Sequence, residues 1–268
     1  MSAAAAPEGV AIESGGGVLR ITLDRPSRKN SLDTAAIRRI VAALETAATD
    51  DSLRVVVLTG NGADFCSGAD WVASNAAGTR PRTGSLQRRT ALQAHRLIEL
   101  LVEIQLPVVC GVRGWAAGLG FQLALAADFT IAAESACFWE PFLERGFSAD
   151  SGASWLLPRL AGVARAKELL LLGRKLSGAE AAAWGIIHRA VPDAELESAT
   201  AALVDRLAAG PTVAIGLTKR CIQRSLETGL VEAMQGEAFA LELSSRTADF
   251  KEGLLAFKER RAAKFEGQ

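Results

Sequence analysis

Three stretches of this chain carry residues whose types and spacing could do chemistry. One is the glycine-marked turn in P-V-V-C-G-V-R-G-W-A-A-G-L-G-F-Q-L-A-L-A-A-D, Pro107 to Asp128, where a β-rich apolar run passes Gly114, Gly118 and Gly120 into an apolar helical run. Without a Cβ, Gly118 and Gly120 let the backbone approach a ligand closely, and the unpaired N–H groups of the first helical turn face outward at the positive end of the dipole. Such a turn can bind an oxyanion, although the same spacing also serves phosphate sites or close packing alone. The second stretch, T-G-N-G-A-D-F-C-S-G-A-D at 59–70, is dense in turn residues and is a second candidate functional loop. The third is Asp150 in G-F-S-A-D-S-G, a carboxylate able either to exchange a proton or to cap the helix that follows. His95 and His188 have no Ser, Cys or Asp at a spacing that suggests a triad, so packing or surface positions are expected for both.

Short strands alternating with helices must position these stretches. Val18–Leu23 alternates as a strand does, and Thr34–Ala48 has helical spacing of Ile37, Ile40, Val41 and Leu44, with Ser31 or Asp33 as its cap. Val55–Leu58 is a fully apolar strand. The small, polar 73–84 segment reads as a flap, followed by a helix over 86–104, the strand at 108–112 and another strand at 129–132. Helices are expected over 153–160, 164–172 and 177–184, then a strand over 186–191. Beyond Pro192 every segment is helical: 196–209, 213–227, 230–243 and 247–257. The expected organisation is an α/β chain with a disordered lead at 1–15, a core at 16–195 and a C-terminal helical region at 196–268.

Composition narrows the function classes. The chain has 268 residues, enough to bury a sizeable core, with 30 basic and 30 acidic residues. That balance removes the electrostatic case for a nucleic-acid partner. The four cysteines, 66, 110, 137 and 221, lie far apart, so neither a zinc site nor a disulfide framework is expected, and a reduced, cytoplasmic compartment fits best. The first residues show no basic segment followed by an apolar core, and no run of about 18 apolar residues occurs, so neither a signal peptide nor a membrane partner is expected.

Several motifs in order carry a family resemblance: L-D-R-P-S-R-K-N-S-L-D (23–33), V-V-L-T-G-N-G-A-D-F-C-S-G-A-D (56–70), G-W-A-A-G-L-G-F-Q-L-A-L-A-A-D (114–128), F-W-E-P-F-L-E-R-G (138–146), L-L-G-R-K-L-S-G-A-E-A-A-A-W-G-I-I (171–187) and D-F-K-E-G-L-L-A-F-K-E-R-R (249–261). From about Val18 to Phe265 the chain resembles the enoyl-CoA hydratase/isomerase superfamily, the crotonases. The resemblance implies a crotonase-like α/β spiral of β-β-α repeats with a C-terminal α-helical trimerisation region. It implies acyl-CoA thioesters as ligands, coenzyme A being part of the substrate with no further cofactor and no metal. The oxyanion-hole donors implied are the backbone N–H groups of Ala69, in S-G-A-D, and Leu119, in A-G-L-G. Two preorganised amides there stabilise the negative charge that reaches a thioester oxygen during enolisation. The matched coenzyme A positions are Arg28, Asn30, the loop of Cys66, Ser67, Gly68 and Ala69, and Phe257 with Arg260 from a neighbouring subunit. Arg28 and Arg260 could equally be solvated charges.

The hydratases of the superfamily use two glutamates, and matching their motifs puts Gln122 and Phe142 at those positions. Glu140 and Glu144 flank Phe142 but are each offset by two residues, and surface positions are expected for both, with Glu140 kept as a pocket candidate. Gly118, Gln122, Phe142, Cys66 and Trp71 are further pocket candidates, core packing being the alternative for Cys66 and Trp71. D-S-G followed by W-L-L-P-R-L at 150–160 looks like the ring-epoxide and double-bond isomerase branch, whose acid/base aspartate falls on Asp150. The leading expectation is therefore isomerisation by Asp150 with the two amides. A hydratase is the same-class alternative, and a non-catalytic acyl-CoA-binding protein the alternative from another class. Apolar spacing along the C-terminal helices, as in Leu226, Leu230, Met234, Phe239 and Leu243, exceeds what one small appendage needs to cover itself, and family resemblance makes the oligomer a homotrimer or a dimer of trimers.

Overall fold

A computed structural model describes residues 9–70 and 82–268. Its main sheet has six strands in the order β1-β2-β3-β4-β6-β9: β1 Val10–Gly15, β2 Val18–Leu23, β3 Val55–Gly60, β4 Val108–Val112, β6 Phe129–Ala133 and β9 Arg189–Val191. Only the β1–β2 hairpin is antiparallel, the other pairings being parallel. Strands inside a parallel sheet are covered on both faces, which is why β3 and β4 read as unbroken apolar runs. Val56 and Leu58 point into the larger core, while Val55 and Val57 face the opposite way and pack with Val18, Val109 and Val204.

A second, three-stranded sheet holds β5 Trp115–Ala117, β7 Cys137–Trp139 and β8 Leu176–Ser177. The chain steps from the large sheet to the small one twice, from β4 to β5 and from β6 to β7, and these steps are the β-β-α turns of the spiral. Gly114 makes the first step possible. Its φ is 53, and a Cβ there would lie 2.2 Å from the Ala63 carbonyl oxygen.

The helices are α1 Thr34–Ala47, α2 Ser85–Thr90, α3 Arg96–Glu103, α4 Leu119–Ala126, α5 Ala153–Ala161, α6 Val163–Leu172, α7 Gly178–Ala183, α8 Leu196–Ala208, α9 Thr212–Ser225, α10 Leu230–Ser244 and α11 Ala248–Glu259. A π-helical turn, Ala91–His95, joins α2 to α3. Asp33 caps α1, its carboxylate accepting from the Ala36 N–H at 2.8 Å. Lys219 on α9 is buried, donating to the Asp128 carboxylate at 2.7 Å and to the carbonyls of Leu101 and Leu106. Because Asp128 also accepts from Val108 N–H at 2.7 Å, this ion pair ties the helical region to the base of β4.

Three expectations change. Residues 10–15 are not a disordered lead: they form β1, paired along its length with β2. The chain does not pass directly from β4 into a helix, because the three-residue β5 intervenes. The last strand covers 189–191 rather than 186–191. The 73–84 flap falls almost wholly outside the described residues. Among the described residues no helix is long and apolar enough to cross a membrane.

Candidate active site

The two glycine-bearing loops meet because the backbone sews them together. Phe65 N–H donates to the Arg113 carbonyl, Cys66 N–H to Trp115, and Ala117 N–H back to Cys66, at 2.8, 2.8 and 2.9 Å. The Asp64 carboxylate accepts from Trp115 N–H at 2.9 Å. Gly120 permits this proximity, since a Cβ on it would sit 2.3 Å from the Cys66 carbonyl oxygen. Gly118, at φ 51 and ψ −124, occupies backbone space that is essentially glycine's alone and turns β5 into α4.

This arrangement frees two amides. On one side, Leu32 N–H donates to Gly68 O and Asp70 N–H to Leu32 O, so the Ala69 N–H between them points away from that partner. On the other, Leu119 is the first residue of α4, where a helix leaves its N–H groups without intrahelical acceptors. Neither amide donates to a described residue. Both loops line one cavity, with Ser67, Gly68 and Ala69 on one side and Gly118 and Leu119 on the other.

Asp150 lines the same cavity, and among the described residues it is the only carboxylate that does. It does not cap α5: the cap residue is Gly152, and no side chain accepts from the first turn. Burial pushes the Asp150 carboxyl above its ordinary value, partly opposed by the neighbouring Ser151 hydroxyl and the His95 charge. Phe142 and Phe147 add an apolar wall, their rings edge-to-face with centroids 5.6 Å apart. The π-helical turn supplies Gln93 and Ala94 to the opposite side, a familiar use of such irregularities near functional sites.

Several expected pocket residues sit elsewhere. Asn30 is buried, and its side chain is committed to the interior: Oδ1 accepts from Arg25 N–H at 2.8 Å and Nδ2 donates to the carbonyls of Asn61 and Asp64. It braces the donor loop instead of presenting a side chain to ligand. Cys66 and Gln122 are fully buried behind the cavity wall. Burial raises the Cys66 thiol to about 12, which leaves it an inert packing group. Arg28, Phe257 and Arg260 lie on the surface and do not join this cavity within one chain. Trp71 lies outside the described residues. His95 and His188 are exposed, His188 edge-on to Phe129, in keeping with packing or surface positions.

Glu140 is the clearest correction. It is not a surface residue but 1% exposed, and the Gln122 amide donates to both its oxygens, at 2.8 and 2.9 Å. Burial pushes its carboxyl well above the ordinary value, against the Gln122 hydrogen bonds and with the Asp150 charge adding to the shift. Its only signal in the sequence was adjacency to β7, whose three residues are too few to show which side faces inward. A raised folded-state value means that Glu140 contributes stability fully below the ordinary 4.5, and that this contribution is lost as pH rises through the raised value. Glu140→Gln should therefore lose less stability than wild type as pH rises above 4.5. Thermal unfolding of both proteins across that range checks it, and parallel curves would remove Glu140 as the titrating group. Glu144, by contrast, is exposed as expected.

Among the described residues no group of three or more His, Cys, Asp or Glu side chains could hold a metal ion. Two facing amides beside a partly buried carboxylate, on a spiral of β-β-α turns, define a crotonase-fold site. The chain belongs to the enoyl-CoA hydratase/isomerase family, whose model matches residues 13–268. It is 38% identical over 252 residues to the 1,2-epoxyphenylacetyl-CoA isomerase of Escherichia coli (strain K12), covering 94% of this chain and 96% of that one. It is also 38% identical over 252 residues to a Rhodobacter capsulatus protein named a probable enoyl-CoA hydratase, covering 94% and 95%. The crystal structure of an enoyl-CoA hydratase from Bacillus anthracis superposes with a TM-score of 0.90 at 32% identity, covering 97% of this chain and all of that one.

Proposed function

We propose that this member of the family is an acyl-CoA isomerase, shifting a double bond or opening a ring epoxide, with Asp150 as acid and base. One observation carries the reading: Asp150 is the only carboxylate among the described residues that lines the cavity of the two free amides, while the hydratase glutamate positions hold Gln122 and Phe142. For a 3-enoyl thioester, the Asp150 carboxylate takes a proton from C2. The C–H electron pair enters a dienolate whose charge rests on the thioester oxygen between the Ala69 and Leu119 N–H groups. The carboxyl then returns the same proton at C4, giving the 2-enoyl isomer with no net gain or loss. One carboxylate suffices for this, whereas adding water calls for a second group to activate it. The apolar wall of Phe142 and Phe147 disfavours such a water. The test is a panel of 3-enoyl, 2-enoyl and aromatic-ring-derived CoA thioesters. Isomerisation should exceed hydration on the panel, and crotonyl-CoA hydrated faster than any thioester is isomerised would overturn the reading.

The substrate's coenzyme A portion would use the 66–69 loop and Arg28 of one subunit with Phe257 and Arg260 of another, in a trimer or a pair of trimers. Support comes from the apolar surface the C-terminal helices leave uncovered: Leu230, Phe239 and Leu254 are exposed, and Phe257 is 86% exposed. Light scattering at micromolar concentration should give a multiple of three protomers. A stable monomer that binds acyl-CoA would refute both the assembly and the shared site.

A further inference from the structure

Gln122 and Glu140 form a closed polar pair whose hydrogen bonding does not balance. The side chains are buried, at 0% and 1% exposed, and the Gln122 amide donates to both Glu140 oxygens. Gln122 Oε1 is equally buried and accepts from no donor among the described residues. Three acceptor oxygens therefore share one NH2 group, and among the described residues no Lys, Arg or His pairs with Glu140. An ionised carboxylate only accepts, whereas the neutral acid brings an O–H of its own that can serve Oε1. A charge buried without a cation is also costly. Burial does push the Glu140 carboxyl well above its ordinary 4.5, and Asp150, the other charged group that acts on it, adds to the rise. Asp150 is the less buried of the two, so it ionises first and its charge keeps Glu140 neutral.

The pair stands where it sets the direction of one oxyanion donor. Gln122 lies three residues after Leu119 in the first turn of α4, and Glu140 directly follows Trp139, the end of β7. Gly118 N–H donates to the Trp139 carbonyl at 2.9 Å, so the start of α4 is fastened to the 139–140 segment at two points, one through backbone and one through side chains. One hydrogen bond alone is a pivot. Two fix the rotation of the first turn, and with it the direction of the Leu119 N–H. Glu140 itself does not line the cavity, but the segment continues into Pro141 and Phe142, which do.

We propose that Glu140 is a positioning residue: as the neutral acid it locks the first turn of α4 through Gln122, aims the Leu119 amide at the thioester oxygen and keeps a second negative charge away from the enolate. The inference rests on reading the Ala69 and Leu119 amides as that oxygen's donors. Two readouts test it without turnover. The infrared difference between wild type and Glu140→Gln at neutral pH should contain a carboxylic-acid C=O band, and a carboxylate band in its place overturns the proposal. The second readout is the C=O stretch of hexanoyl-CoA isotope-labelled at the thioester carbonyl, which should move to lower frequency on binding wild type because the amides polarise it. That displacement should persist as pH rises past 4.5 and shrink only when Glu140 ionises at its raised value. Glu140→Gln, whose neutral amide can pair with Gln122 as the acid does, should keep the displacement over the same range.

Glu140→Ala leaves Gln122 unpaired. It should lose most of the displacement and lower kcat/KM about 10- to 100-fold, the scale of a group moved out of place, with Glu140→Gln restoring most of the activity. If the alanine variant does not fold, wild type against Glu140→Gln across pH still decides. A displacement in wild type that neither rising pH nor Glu140→Ala alters overturns the proposal and leaves the oxyanion reading standing. No displacement in wild type overturns both. If the displacement behaves as expected while no thioester is isomerised, the proposed reaction fails and the positioning role stands.

Discussion

Asp150→Asn should lower kcat for isomerisation by about 10² to 10⁴, the usual contribution of a positioned acid/base group. The substitution keeps the shape of the side chain and the cavity but removes the site at which the proton is held between C2 and C4. It should therefore leave the dissociation constant of an unreactive acyl-CoA nearly unchanged. Because burial raises the Asp150 carboxyl and the carboxylate is the form that abstracts the proton, wild-type kcat should rise with pH through a limb lying above the ordinary 3.8. The residual rate of the variant should lack that limb. Folding is not at risk. A carboxyl with a raised folded-state value contributes stability below its unfolded value and loses it as pH rises, so the asparagine variant should be at least as stable at neutral pH. Steady-state kinetics across pH give the answer, and turnover within a few-fold of wild type would remove Asp150 from the mechanism.

Gly68→Ala should be almost as damaging without touching an ionisable group. Gly68 has φ 98, and a Cβ on it would lie 2.7 Å from the Ala117 carbonyl oxygen and 3.5 Å from the Leu119 nitrogen. The first contact is against backbone, which cannot swing aside as a side-chain tip can. The loop bearing Ala69 and the turn bearing Leu119 must then separate, and both amides leave the position that the thioester oxygen requires. Losing one oxyanion donor costs about 3 kcal/mol of barrier, so kcat/KM should fall by at least about 10². Gly185→Ala is the control: φ is 74, with nothing within 4 Å of its Cβ. It imposes similar backbone strain without the wedge, and it should cost stability but little activity. Equal activity losses in the two variants would show that strain alone, not the meeting of the loops, explains the effect.

The elements with a readable apolar pattern were legible in the sequence: β2, β3, β4, β6 and the helices, with α2 and α3 read as one stretch and Asp33 one of two caps offered for α1. Motif resemblance pointed to the two amide loops and Asp150, which share one cavity; the glycines at 68 and 120 are required by close backbone contacts and Gly118 by its backbone conformation. Tertiary structure decided the rest. Strands β5 and β7, of three residues each, acquire their identity from each other and show no period of their own. Polar residues were the least legible: Asn30 became an internal brace, Glu140 a buried partner of Gln122, and Ser151 a buried hydroxyl on the cavity wall. Whether a polar side chain faces water, core or ligand depends on partners that arrive from distant parts of the chain, such as Asn61 and Asp64 for Asn30, or Gln122 for Glu140. Asp150 could have capped a helix or served a site. Gly152 took the cap, and folding brought Asp150, the 66–69 loop and the start of α4 to one cavity.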